Sequence, residues 1–133
     1  MPPQRTGFLS GRIGSPPMAD VLHAVEAALF LVIASGVEAP VSCSSASATV
    51  VECGSRGVVA LQADGSVMLP GRLRVDRSRA DAIRISNGVE GWRGATGWIS
   101  FSNGLSVRRE QGRWRFSGGL SCVQVGTDRG ACR

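Results

Sequence analysis

The sequence predicts an α+β fold in which one N-terminal helix, at about residues 18–35, packs on a glycine-rich antiparallel β-meander. Three observations lead there. From Met18 to Ser35 apolar residues recur at helical spacing, and from Thr49 onward the period changes to two. The 18 glycines, several in Asp-Gly and Asn-Gly pairs, suit tight turns between short strands. A chain of 133 residues is one domain with a modest core.

In chain order, residues 1–17 (MPPQRTGFLSGRIGSPP) read as a flexible leader ahead of a single domain over residues 18–133. Ser15 is placed to cap the helix, with Pro16 and Pro17 at its first positions and Asp20 near the positive end of its dipole. Val21, Leu22, Val25, Leu29 and Val32 share one face, and His23 and Glu26 mark the solvent side. Gly36 is the stop. The segment Ala27 to Ala34 is apolar all round, which suits a core helix, the apolar stretch of a secretion signal cleaved near Ala34-Ser35-Gly36, or a membrane-embedded helix too short to span.

Residues 37–48 form a serine- and alanine-rich connector, and residues 49–133 form the β-domain. Its seven or eight expected strands are separated by turns at Gly54-Ser55-Arg56, Asp64-Gly65, Pro70-Gly71, Asn87-Gly88, Asn103-Gly104, Gln111-Gly112 and Gly118-Gly119. Alternation places Ile99, Phe101, Leu105, Val107, Trp114 and Phe116 toward the core, and Arg108, Arg113 and Arg115 on the outer face.

Cys43 and Cys53 are separated as Cys122 and Cys132 are, and four cysteines allow three connectivities. Local pairing is the simplest, each bridge clipping a loop at its base. The spacing is too wide for a zinc site, and the single histidine, His23, lies in the helix. Disulfides imply an oxidising compartment: periplasm, inner-membrane surface or cell exterior.

All 15 basic residues are arginine, against 10 acids, and the net charge is +5. The excess falls after Arg56, so the β-domain carries a field that attracts nucleic acid, anionic lipid or an acidic partner. Trp92, Trp98 and Trp114 beside those arginines are either core fillers or a stacking platform for single-stranded nucleic acid. The tail from Gly126 to Arg133 reads as a rigid, exposed basic loop that brings Arg129 and Arg133 to the same surface. One histidine and singly scattered acids support no nucleophile–base pair, and the glycines mark hairpins rather than a phosphate loop. The sequence therefore indicates no catalytic residue, no cofactor and no metal.

An apolar N-terminal helix, a small-residue connector, a glycine-rich antiparallel sheet and a cysteine pair closing the C-terminal segment resemble type IV pilins. Among these the order of features is similar to minor pilins and type II secretion pseudopilins with a GspH/FimT-like β-domain. Arg5-Thr6-Gly7-Phe8 is similar to a prepilin peptidase site, where cleavage follows the glycine. Leu9-Ser10-Gly11-Arg12 departs from the family, which continues with a long apolar helix and an early glutamate. The resemblance implies a non-enzymatic assembly subunit whose partners are other pilin or pseudopilin subunits, or the secretion machinery. Its helix would contact membrane or partner helices, and its basic β-domain would face outward toward DNA or another polyanion. The alternative expectation is a secreted, disulfide-bonded β-sandwich or barrel that binds an anionic ligand, with residues 1–36 acting as signal peptide.

Overall fold

The computed structural model describes residues 21–79 and 82–133. Helix α1 (Ala24–Ser35) is followed by β1 (Val41–Ser45), β2 (Val50–Glu52), β3 (Val58–Leu61), β4 (Val67–Leu69), β5 (Leu73–Arg79) and β6 (Ala82–Ile85). Then come β7 (Glu90–Arg93), β8 (Ile99–Phe101), β9 (Ser106–Glu110), β10 (Arg113–Phe116), β11 (Ser121–Val125) and β12 (Arg129–Cys132). Each strand pairs antiparallel with its neighbour in sequence, and β1 pairs with β12, so the sheet is a closed barrel.

This corrects the expected α+β fold. The described residues are mostly β and form a twelve-stranded antiparallel barrel with one α-helix, and the helix-on-meander packing implied by the pilin resemblance is not what they adopt. Two segments make the difference. Val41–Ser45 lies in the supposed connector and Arg129–Cys132 in the supposed loop, yet Val41 pairs with Cys132 and Ser44 with Arg129. Both are short, small-residue strands whose pairing joins distant parts of the chain, so local alternation marks neither as half of a closing ladder.

Helix α1 begins at Ala24 rather than Met18. His23 is the exposed N-cap residue, and the Glu26 carboxylate accepts its backbone N–H at 3.0 Å. The proposed cap at Ser15, Pro16, Pro17 and Asp20 lies outside the described residues, as do Gly7 and Phe8. Every residue from Ala27 to Ile33 is buried, covering all sides of the helix. An eight-stranded barrel is filled by side chains alone, whereas a wider one needs something more in its lumen. Here α1 supplies it, lying against β11, β12, β1 and β2.

Close approach at that wall depends on Gly130, where an added Cβ would stand 2.3 Å from the Val25 nitrogen. At the far end Gly36 takes the left-handed conformation, and Asn87 and Asn103 donate to the carbonyls of Ala34 and Ile33 at 3.2 and 2.8 Å. Turn chemistry explains the similar Ile85-Ser-Asn-Gly and Phe101-Ser-Asn-Gly segments, and it also delivers both amides to carbonyls of the last helical turn. Across the lumen, Val67, Val75 and Ile85 form one buried cross-strand row, and Ile99, Val107 and Phe116 another.

The disulfides are Cys43–Cys53 and Cys122–Cys132, the local pairing. The first joins β1 to the end of β2 and the second joins β11 to β12, so they flank the β1–β12 seam on either side. Two bridges in one small domain are consistent with an extracytoplasmic location. Among the described residues no helix is long and apolar enough to cross a membrane, which says nothing of crossing by strands.

Candidate functional site

Residue alternation sorts the arginines of β9 and β10. Val107 and Phe116 are fully buried, so Arg108 and Arg115 point outward, and they are direct cross-strand partners. Ile99 pairs with Val107, which brings the preceding Trp98 beside Arg108, whose guanidinium carbon lies 4.9 Å from the Trp98 ring centroid. On the other side Arg115 pairs with Ser121, which exchanges backbone hydrogen bonds of 3.1 and 2.9 Å with Arg133. Trp98, Arg108, Arg115, Ser121 and Arg133 thus form one row around the outer wall, roughly 19 Å long at the ordinary strand spacing.

Glu110 neutralises part of this row. It accepts from Arg108 Nε at 2.9 Å and stands 3.8 Å from Arg115 Nη1, with Arg113 directly across the ladder. The Arg108 hydrogen bond is the largest influence and, with the charges of Arg108, Arg115 and Arg113, holds the Glu110 carboxyl below its ordinary range against the opposing effect of desolvation. Asp64, in the β3–β4 turn, is lowered chiefly by the Ser66 hydroxyl and amide, at 2.6 and 2.9 Å, and then by Arg74. Lowered carboxyls contribute stability that is complete above the unfolded range, roughly pH 4–5, and is lost as pH falls through the folded values. Glu110→Gln is therefore expected to flatten part of the acid limb of the stability curve. A pH series of denaturant midpoints checks this; an unchanged acid limb would show that the Arg108 pairing is not formed in solution.

Of the five arginines expected to form one anionic-partner surface, the row unites Arg108, Arg115 and Arg133, with Arg113 adjacent. Arg129 is separate, opposite Val125 and Ser44 beside a shallow recess with Glu52 and Val58. The tail is not an exposed loop: Gly130, Ala131 and Cys132 are buried in the closing strand. The tryptophans separate as well. Trp92 is 51% exposed and Trp98 half-buried on the outer wall, so neither fills the core, while Trp114 faces the lumen.

Helix α1 lies against β11, β12, β1 and β2, and a cleft of about 1050 Å³ runs along strands β5 to β9 and reaches the buried Leu29 and Phe30 of the helix. Leu29 and Phe30 of the helix and Ile83, Ile85, Ile99 and Trp114 of the wall line it, with Arg77, Arg93 and Arg109. Its lining also takes in Asp64, Arg74, Asp76, Arg84 and Glu90. Arg77 pairs with Glu26 at 2.9 Å. Arg93 pairs across the ladder with buried Ile99, and Arg109 shares the face of Val107, so the register puts both on the lumen side of their strands, where both side chains are exposed. Neither forms an ion pair among the described residues, and the Arg109 guanidinium lies 5.4 Å from the Trp114 ring centroid. Sequence reading missed both, though the alternation Leu105, Val107, Arg109 carries the signal.

Among the described residues no three metal-ligating side chains come together. The fold and its surfaces define a closed antiparallel barrel with a helix in its lumen, two arginine-bearing surfaces and two disulfides. Compared with protein-family models, curated proteins and solved structures, the chain matches none.

Proposed function

We propose that this protein is a non-enzymatic, extracytoplasmic binding module that presents its outer arginine row to a polyanion, of which single-stranded DNA fits best. The observation that carries this is the position of the tryptophans. Had they filled the core, the arginines would be ordinary solubilising charge. Instead Trp98 lies at the end of the row under Arg108, and Trp92 stands exposed on neighbouring β7. Aromatic faces along a basic track are how sequence-tolerant single-strand binding works, each stacked base contributing roughly 1–3 kcal/mol. The described part of α1 has no uncovered apolar face, so assembly through that helix gains no support.

The test is fluorescence anisotropy with a labelled deoxythymidine oligonucleotide across a salt series. Trp98→Ala is expected to weaken binding about 5- to 100-fold, the range that one stacked base gives. Arg115→Ala should weaken it and lower the salt slope by about 0.7, one single-strand phosphate contact. Binding unaffected by both substitutions, or equal affinity for an uncharged polymer, would overturn the proposal.

A further inference from the structure

The chain has two asparagines, and both hold the last turn of α1. Asn87 lies in the turn between β6 and β7, and Asn103 in the turn between β8 and β9. In each, the side-chain oxygen accepts a backbone N–H two residues on, from Val89 and from Leu105, both at 3.2 Å. That fixes which end of each amide is which, so Nδ2 is the group that donates to Ala34 or Ile33. Glycine follows both asparagines because Gly88 and Gly104 stand at φ +97° and +94°. The turns therefore place Asn-Gly at both anchors. In that dipeptide no side chain on the second residue hinders attack of its nitrogen on the asparagine amide.

We propose that Asn87 is a site of spontaneous deamidation, and that its conversion frees the last turn of α1 from the barrel wall. The Gly88 nitrogen bonds to Cγ of Asn87, the Cγ–Nδ2 bond breaks, and ammonia leaves with the Gly88 proton. Solvent water opens the resulting cyclic imide at either carbonyl, giving aspartate or isoaspartate, so one water is consumed for each ammonia released. The aspartate product keeps an oxygen for the Val89 N–H but has no N–H for Ala34. A carboxylate then faces a carbonyl at the negative end of the helix dipole. Structure, not sequence, sets which asparagine goes first. Both lie in Ser-Asn-Gly followed by Val or Leu, and both attacking nitrogens are held alike, Gly88 N–H on Ile85 and Gly104 N–H on Phe101, each at 3.0 Å. Their grips on the helix differ. Asn103 donates at 2.8 Å in a partly buried contact packed against Gly36, whereas Asn87 donates at 3.2 Å in an exposed one. Once Asn87 has converted, Asn103 is the one asparagine still holding that turn.

The experiment stores the intact protein in mildly alkaline buffer at physiological temperature, beside a sample unfolded in guanidinium, and follows both by peptide mapping. In the unfolded chain the two asparagines should convert at similar rates. In the folded protein Asn87 is expected to convert ahead of Asn103. Asn87→Asp, made directly, should raise the unfolding equilibrium constant about tenfold, as loss of a hydrogen bond and an unfavourable charge at a helix end imply. It should also quicken exchange of the Gly36 amide, which donates to Val32 and Ile33, while the Val89 amide keeps its protection. Asn103 should then convert faster than in the parent. Equal folded rates, earlier loss at Asn103, or no conversion of Asn87 while the unfolded chain converts fully would overturn the site. An Asn87→Asp protein as stable as the parent, with Gly36 exchange unchanged, would overturn the release of α1. The storage series uses the unaltered chain, so it decides the site even where Asn87→Asp folds poorly.

Discussion

Gly130→Ala is expected to destabilise the barrel by about 3 kcal/mol or more, a large loss for the addition of one methyl group. The new Cβ would meet Val25 N at 2.3 Å, Val25 Cα at 2.5 Å and the Ala24 carbonyl carbon at 2.7 Å. All three are backbone atoms of α1, so no side-chain rotation relieves the overlap and the helix must move off β12. Gly130 does not have a left-handed conformation, so the cost is steric and not conformational. Gly91→Ala offers a useful comparison. There the obstruction is the Phe101 ring, with its nearest atoms at 2.4 Å, and a ring can shift where a helix backbone cannot. Denaturant midpoints of the two variants should separate clearly. A Gly130→Ala protein within about 0.5 kcal/mol of the parent would mean that α1 does not lie on the closing strand.

The second large effect concerns the two disulfides. Each closes a loop of sequence separation 10, for which chain entropy gives roughly 2–3 kcal/mol. Removing both, by Cys43→Ser, Cys53→Ser, Cys122→Ser and Cys132→Ser, is expected to cost about 4–6 kcal/mol, much of the total stability of an ordinary domain. Because the bridges stand on either side of the β1–β12 seam, hydrogen exchange should quicken first at Ser42, Ala131 and their neighbours. Exchange that rises evenly around the barrel would show that the bridges do not guard the seam.

The parts of this architecture that were legible in the sequence are those fixed by neighbours. Asp64-Gly65, Asn103-Gly104 and Gln111-Gly112 each sit at a hairpin, because positive φ at Gly65, Gly104, Gln111 and Gly112 is a local requirement. Outward Arg108 and Arg115, and buried Ile99, Val107 and Phe116, follow from alternation alone. Closure was not legible, since nothing in Val-Ser-Cys-Ser-Ser announces that its partner is Arg-Gly-Ala-Cys at the other end of the β-domain. Once closure is missed, a helix apolar on all sides must be laid on an open sheet, and the tail becomes a loop. The inward turn of Arg109 was lost for a related reason: a charged residue at a lumen position makes sense only when the lumen has a cleft.

The seam also fixes when the barrel can be completed. Ten of the other pairings are between consecutive strands and can form as the chain emerges, and so can the hairpin of β11 with β12. The β1–β12 ladder joins the two ends of the sheet, and it must wait for Arg129–Cys132. Helix α1 is made about 100 residues before that strand, roughly 5–20 s earlier at ordinary synthesis rates. During that interval the apolar stretch Ala27 to Ala34 lacks its principal cover. The strand made last is the one that relieves it.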